Sequence, residues 1–351
     1  MRFLFLSPCP TTPLQLSHTM RPLFFLPLWA FSTTARPQTP SPPSTWTSLS
    51  PIPAGPIHEH AVAALDNTRI ITVGGMLERG GVIDSVYIYT LPPTNSWKKV
   101  ASLPITINHA NAAVVDGKLY ILGGMTGAAW NGTPRSWVYD PSTDKWTALA
   151  NMPATDTPRG SAVMGVYGKT IWLASGKTKS GGESVTTVSA YDTVAAKWLV
   201  DIPAKAKNIP EGRDHGGGGV VGSKFYQLGG SLGAIENRKD TVFVLDLEDL
   251  NKGWVTAKGK MPTPRRGFAT GIVGTKIYTF GGEGNPDKTY GGVFKDVEVY
   301  DTVTDTWAAL GSMKLPRHGS AAAVINGTIY IPGGGTAMGT PATAAFDAFT
   351  P

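Results

Sequence analysis

The sequence has almost no cysteine, and this scarcity limits its possible chemistry. Cys9 is the only cysteine among 351 residues, and it lies in an apolar N-terminal stretch that reads as a removable leader. Without it, the mature chain has no disulfides and no thiolate nucleophile. A chain of this kind is held together by its hydrophobic core alone, which suits a large closed β structure.

Charged side chains are also scarce, at 16% of residues, and the formal net charge of +6 is mild for this length. The sequence has no block of like charges that would form a basic arm, so we expect no nucleic-acid partner. The apolar run 22–31 is shorter than the roughly 20 residues that a membrane helix needs. We therefore expect no membrane span.

The first 35 residues resemble a secretory leader. After Met20, an alternative start, come Arg21, the apolar run and the small residues 32–35. Residues 36–45 follow as a Pro/Ser/Thr linker. We therefore predict a secreted protein, or one in the lumen of the secretory pathway; a plain apolar N-terminus is the alternative. Asn131 and Asn326 each begin an Asn-Gly-Thr glycosylation acceptor.

What the sequence has in abundance is glycine, with 42 residues, and a regular repeat. Tryptophans recur about 50 residues apart, a period typical of propeller blades; they are Trp46, Trp97, Trp146, Trp198, Trp254 and Trp307. Each interval holds a strand of small residues, an apolar strand that ends in a glycine pair, and a third strand that ends in an aromatic residue and usually aspartate. The tryptophan opens a fourth strand.

The glycine pairs, the Tyr-Asp dipeptides and the spaced tryptophans resemble the kelch-repeat β-propellers, over about residues 45–351. The departures are Ser175 for a glycine, Thr90 for an aspartate and Leu245 for a tyrosine. The resemblance implies an all-β, six-bladed propeller over residues 46–351. The sixth repeat stops three strands in, so residues 45–53 should complete the last blade and close the ring.

In a kelch ring, the loops that lead into the first strand of each blade open at one end of the channel, called the mouth here. These lead-in loops are rich in arginine and histidine, and such a concave site favours anionic or hydroxylated ligands. The predicted ligand-binding residues are Arg159, Arg213, Arg265, Arg266, Arg317, His60, Glu59 and Glu283. The candidate catalytic residues are His215, Asp214, His109 and His318.

Four glycines, residues 216–219, follow Asp214 and His215. They should leave room beside this pair, which makes the fourth blade the expected centre of the site. His60, His109 and His215 come from different blades, and we expect the channel to hold them too far apart for a metal. We also expect no other cofactor. Copper-radical oxidases resemble kelch propellers, but their cofactor needs a cysteine that the mature chain lacks.

Two classes of function remain open, and the sequence does not decide whether the protein is an enzyme. The first is a small-molecule protein that binds an anionic or hydroxylated ligand and acts as an accessory isomerase or cyclase in fungal secondary-metabolite biosynthesis. The second is a propeller that binds proteins or glycans without catalysis. A sugar-acid mutarotase is a further alternative, because sialic-acid mutarotases resemble six-bladed kelch propellers. We expect a monomer.

Overall fold

A computed structural model of the chain describes residues 44–339 and 341–351. The predicted leader, residues 1–35, and most of the linker, residues 36–45, lie outside the described residues. The described chain is almost entirely β structure, with three short 3-10 turns. None of its helices has the length and apolar character needed to cross a membrane.

Six antiparallel sheets of four strands form six blades, and one two-stranded sheet, β2 with β5, accompanies the first. From the axis outwards the blades are β3-β4-β6-β7, β8 to β11, β12 to β15, β16 to β19, β20 to β23, and β24-β25-β26-β1. The strands are β1 (Thr45–Leu49), β2 (Ile57–His58), β3 (Ala61–Ala64), β4 (Arg69–Val73), β5 (Met76–Leu77), β6 (Val86–Thr90), β7 (Ser96–Val100), β8 (Ala112–Val115), β9 (Lys118–Thr126), β10 (Asn131–Asp140), β11 (Lys145–Ala148), β12 (Val163–Tyr167), β13 (Thr170–Ala174), β14 (Val188–Asp192), β15 (Lys197–Trp198), β16 (Gly217–Val221), β17 (Lys224–Leu228), β18 (Val242–Asp246), β19 (Trp254–Thr256), β20 (Ala269–Val273), β21 (Lys276–Phe280), β22 (Asp296–Asp301), β23 (Thr306–Ser312), β24 (Ala323–Ile325), β25 (Thr328–Pro332) and β26 (Phe346–Thr350). The 3-10 turns are Ala154–Asp156, Leu250–Lys252 and Lys288–Tyr290.

The ring closes as the sequence predicts. The N-terminal strand β1 pairs with the C-terminal strand β26, from Thr45 opposite Thr350 to Leu49 opposite Phe346. On this strand, the Trp46 ring packs against Phe349, with ring centroids 5.0 Å apart. The fourth strand of the sixth blade therefore comes from the other end of the chain, and the six-bladed propeller is confirmed.

The repeated tryptophans join neighbouring blades. Each lies on the outermost strand of its blade, opposite an aromatic residue or leucine of the third strand. Four of the indole N–H groups donate to a carbonyl of the blade before: Trp97 to Ser50, Trp146 to Ala101, Trp198 to Ala150 and Trp254 to Ala206, over 2.8–3.1 Å. The 50-residue period thus follows from one packing contact used at successive blade junctions.

The two predicted glycosylation acceptors lie on the surface. Asn131 begins β10, and Asn326 occupies the turn between β24 and β25; both are exposed. Exposure is necessary for modification, and glycosylation itself stays a prediction.

Candidate functional site

A ring of six left-handed residues surrounds the axis at the mouth. When the six lead-in loops are aligned, one residue of each loop occupies the same place, two residues after the position of the arginines. All six have a positive φ, between 49° and 63°; they are Glu59, His109, Ser161, His215, Gly267 and Gly319. We call them the mouth ring.

Backbone hydrogen bonds connect the mouth ring from blade to blade. At five of its six steps, the N–H of one member donates to the carbonyl of the member before it, over 2.6–3.0 Å. A left-handed backbone costs about 1 kcal/mol or more for a residue other than glycine. Glycine avoids this cost in the fifth and sixth blades. The other four members keep a side chain at this place despite the cost; they are Glu59, His109, Ser161 and His215. Strained residues that persist are candidates for a functional role.

Three of these side chains converge near the axis. The Nε2 atom of His109 lies 2.9 Å from Nε2 of His215 and 3.1 Å from Oε2 of Glu59. The Nδ1 atom of His215 lies 2.5 Å from a carboxylate oxygen of Asp214. Because an ionised carboxylate only accepts hydrogen bonds, Nδ1 carries the hydrogen, and in this tautomer Nε2 is the acceptor nitrogen of the ring.

Asp214 is fully buried and is held from several sides. It accepts hydrogen bonds from the hydroxyls of Ser184 and Ser231, and Arg266 lies 3.4 Å away. Burial alone would raise the pKa of Asp214, but the hydrogen bond with His215 holds it below the usual range. The carboxylate is therefore ionised and fixes the orientation of the His215 ring.

Burial and the neighbouring side chains together set the charge of His109 and Glu59. Burial lowers the pKa of His109 to about 4, although the Glu59 carboxylate opposes this effect. Burial would raise the pKa of Glu59, but the nearby imidazoles of His109 and His215 lower it below its usual range. At neutral pH the cluster thus holds a neutral His109 and an ionised Glu59.

Two cavities meet at this cluster. The mouth cavity, of about 270 Å³, lies among the loops and is lined by residues of all six blades. The channel cavity, of about 290 Å³, is lined by the innermost strands and the residues just before them. Glu59, His109 and His215 line both cavities. They form the boundary between the mouth and the channel.

The mouth cavity combines an apolar wall with a few charged groups, as small-molecule sites commonly do. Met76, Met125 and Trp130 supply the apolar wall, and the Trp130 ring lies 6.1 Å from the His109 ring. The charged side chains that line it are Glu59, Glu283, Arg266 and Lys177. Two acids and two cations balance, so the mouth is less cationic than the sequence suggested.

His318 and Glu283 form a second pair of ionisable side chains in the mouth cavity. The Nε2 atom of His318 lies 2.9 Å from the carbonyl of Ala337, so Nε2 carries the hydrogen. Its Nδ1 atom faces the carboxylates of Glu283 and Glu59 at 3.7 and 3.8 Å, beyond direct hydrogen-bond distance. Glu283 is bound on its other side by Arg266, at 2.8 Å.

Four of the predicted ligand-binding arginines lie inside the blades instead of at the mouth. Arg159, Arg213, Arg265 and Arg317 are at most 2% exposed. Their guanidinium groups donate to backbone carbonyls and polar side chains of their own blades. Among the predicted arginines, only Arg266 lines the mouth cavity. The sequence pattern did not reveal that residues two places apart in one loop point in different directions.

Two further expectations also need correction. His60 lies on the channel side of the ring, where its Nε2 atom contacts the carbonyl of Pro332 at 3.0 Å. The glycines after His215 are required by close packing, not by spare room. A Cβ atom on Gly217 would lie 2.4 Å from Thr270, and one on Gly218 would lie 2.0 Å from the carbonyl of Tyr226.

The candidate catalytic residues do come together. His109, His215 and Asp214 form one connected group, and Nδ1 of His318 lies 3.8 Å from the Glu59 carboxylate that contacts this group. The expectation that His60, His109 and His215 lie too far apart for a metal is wrong for His109 and His215, whose Nε2 atoms are 2.9 Å apart. His60 is not part of this contact, because its Nε2 atom lies against the carbonyl of Pro332. Sequence reasoning missed the cavity residues Met76, Met125 and Trp130. The two methionines directly follow glycine pairs, but the sequence does not distinguish an apolar side chain that lines a cavity from one that packs in the core.

Comparisons with known proteins agree with this architecture. A family model described as the KLHDC2/KLHL20/DRC7 Kelch-repeats domain matches residues 43–230 and 219–346. Kelch-like protein terF of Aspergillus terreus (strain NIH 2624 / FGSC A1156) is 38% identical over 332 residues, which cover 90% of this chain and 69% of terF. Kelch-like protein 15 of Danio rerio is 25% identical over 310 residues, and the match covers 79% of this chain.

The chain spans only about half of Kelch-like protein 15, at 48% of its length. Among solved structures, one described as the structure of YjhT has a TM-score of 0.69 at 18% identity, and the match covers 85% of this chain and 95% of that one. This likeness shows the fold alone. Together with the blade architecture and the mouth ring, the matches show that the chain belongs to the kelch-repeat β-propeller family.

Proposed function

We propose that this protein binds a small hydroxylated organic molecule in the mouth cavity and converts it into an isomer, by rearrangement or ring closure. In this proposal it is a secreted accessory enzyme of fungal secondary metabolism. The observation that carries the proposal is the mouth cavity itself, in which all six blades surround a buried cluster of carboxylates and imidazoles.

The walls of the mouth cavity favour a compact ligand with a flat apolar part. Trp130 offers a ring face for stacking, and Met76 and Met125 offer adaptable apolar contacts. A volume of about 270 Å³ suits a molecule at or below the small end of ordinary ligand sites. Because the lining acids and cations balance, a hydroxylated ligand fits better than a strongly anionic one.

Isomerisation needs groups that take a proton from one atom and return it to another. His318 and Glu283 face each other across 3.7 Å, a separation that a ligand hydroxyl or a water molecule can bridge. Arg266 lies beside Glu283 and can stabilise negative charge that develops on a ligand oxygen. We assign proton transfer to His318 and Glu283, and stabilisation of the ligand oxygen to Arg266.

The test replaces these residues in the strain that carries the gene. We expect His318→Gln or Glu283→Gln to remove one metabolite and to accumulate a compound of identical mass, because isomerisation conserves the molecular formula. Liquid chromatography with mass spectrometry measures both. Lys145→Ala, an exposed change on the outer strand β11, is the control. An unchanged metabolite profile in both cavity variants would overturn the proposal.

Binding without catalysis is the second candidate, because kelch propellers commonly bind proteins. In that case, the purified protein should recover a partner in one-to-one amount from the culture medium, and His318→Gln should release it. A sugar-acid mutarotase is tested separately, by following anomer exchange of a sialic acid by nuclear magnetic resonance. Secretion is tested by finding a mature N-terminus near residue 36 in the medium.

A further inference from the structure

We propose that Glu59, His109 and His215 bind one divalent first-row transition-metal ion at the base of the mouth cavity. The three residues come from the first, second and fourth blades, and their ligand atoms all lie within 4.8 Å of one another. The inference does not rest on the proposed function, because metal binding is measured without any substrate.

The first argument is the number of acceptors that meet at one point. Nε2 of His215 is an acceptor because Asp214 holds the hydrogen on Nδ1, and the Glu59 carboxylate is an acceptor as well. Nε2 of His109 lies between them, at 2.9 and 3.1 Å. When neutral His109 donates its single hydrogen from Nδ1 to the amide oxygen of Asn108, its Nε2 is a third acceptor and no hydrogen lies between the three atoms. A metal ion would bind all three.

The second argument is geometry. Adjacent ligand atoms around an octahedral ion with bonds of about 2.1 Å lie about 3 Å apart. The two measured separations, 2.9 and 3.1 Å, agree with this spacing. Two imidazoles and one carboxylate leave further coordination positions, and the triad faces a cavity on each side. An ion here would polarise a ligand oxygen that enters the mouth cavity.

The third argument is the shell of residues behind the triad. Metal-binding histidines usually donate their second ring N–H to a carboxylate or carbonyl, which fixes the ring. Nδ1 of His215 has Asp214 as this partner, at 2.5 Å, and Nδ1 of His109 has the amide oxygen of Asn108, at 2.6 Å. Both partners are fully buried, so both rings are held with Nε2 towards the same point.

The chain also contains its own comparison. Gly267 and Gly319 occupy the mouth ring in the fifth and sixth blades, and the backbone hydrogen bonds continue through them. Ser161 occupies the same place in the third blade without belonging to the triad, so a side chain there does not by itself indicate a ligand. The triad differs because its three ligand atoms converge on one point, and a ligand that they bind together explains this convergence.

The test uses the full chain, purified without a metal-affinity column, treated with a chelator and then titrated with Zn²⁺ or Co²⁺ alone. We expect one ion per chain, measured by isothermal titration calorimetry and by elemental mass spectrometry after dialysis. His109→Gly copies the residue that the fifth and sixth blades use, so its metal-free form should melt within about 3 °C of the wild type. His215→Gly leaves the buried Asp214 without its imidazole partner and should melt lower. Both should lose the ion.

Two more variants distinguish the triad from the residues around it. Asp214→Asn removes the charged partner of His215 and should weaken metal binding about 10- to 100-fold. His318→Gln, in the same cavity but outside the triad, should keep one ion per chain. If Zn²⁺ and Co²⁺ do not bind, or if both glycine variants bind them as tightly as the wild type, the proposal is overturned. The metabolite test uses His318 and Glu283, so failure of either proposal is recognised separately.

Discussion

Replacing Arg265 by isoleucine separates a structural role of the buried arginines from a role in ligand binding. Arg265 is fully buried in the fifth blade. Isoleucine is the residue that the chain itself uses at the same loop position in the first and second blades, as Ile57 and Ile107. The substitution therefore changes the polar contacts and introduces a side chain that the fold already accepts at this place.

The expected loss of stability in Arg265→Ile follows from the hydrogen bonds that Arg265 donates. Arg265 donates four hydrogen bonds, at 2.7–3.1 Å, to the carbonyls of Gly281 and Asp296, the Thr279 hydroxyl and the Glu298 carboxylate. Without it, Glu298, which is itself buried, loses its ion pair. Removing one partner of a buried ion pair costs about 3–5 kcal/mol. For a domain of about 300 residues, that lowers the melting temperature by about 5–8 °C.

Thermal unfolding followed by circular dichroism, together with Zn²⁺ titration, measures both roles. We expect Arg265→Ile to melt lower and to bind Zn²⁺ as the wild type does. The double variant Arg265→Ile with Glu298→Tyr should recover at least half of the loss, because the first blade carries Ile57 and Tyr87 at the equivalent places. An unchanged melting temperature combined with lost binding would refute the structural assignment and restore Arg265 to the site.

Two further predictions test the ring. Trp46→Ala on the closing strand should lower the free energy of unfolding by about 3 kcal/mol in a urea titration, because the indole packs on Phe349; a loss below about 0.5 kcal/mol would mean that this contact does not hold the closure. Gly218→Ala should destabilise by several kcal/mol, since its Cβ would lie 2.0 Å from the carbonyl of Tyr226. Gly222→Ala, with open space around it, should cost only about 1 kcal/mol; equal losses would contradict the packing account.

The fold could be predicted from the sequence because each blade repeats the same physical solution. The tryptophans recur where an indole reaches the blade before, and the glycine pairs recur where the second strand ends beside the neighbouring blade. The closing strand could be predicted by counting strands. The sixth repeat has only three strands, and Trp46 lies on a strand that precedes the first repeat. These features depend on local packing that recurs from blade to blade.

The site was only partly predictable, because it depends on the direction of side chains within one loop. The sequence places Arg213, Asp214 and His215 side by side, but the arginine enters the blade and the histidine faces the axis. A signal was present: Gly267 and Gly319 mark the left-handed place in two loops. The residues that replace glycine there, including Glu59 and His109, could have been selected on that ground alone.

The connection between His109 and His215 could not be read from the sequence, because it depends on the diameter of the ring. The two residues are 106 positions apart, yet their Nε2 atoms lie 2.9 Å from each other. The inner strands, built largely from small residues, draw the blades close enough for this contact.

The most direct test of the account is anomalous X-ray diffraction from crystals soaked with Zn²⁺, with data collected on both sides of the zinc absorption edge. The account predicts one strong peak at the base of the mouth cavity, about 2.1 Å from Nε2 of His109, Nε2 of His215 and a carboxylate oxygen of Glu59. Crystals of His215→Gly should lack the peak. No peak at this place in the wild type, or a peak that persists in the variant, would contradict the account.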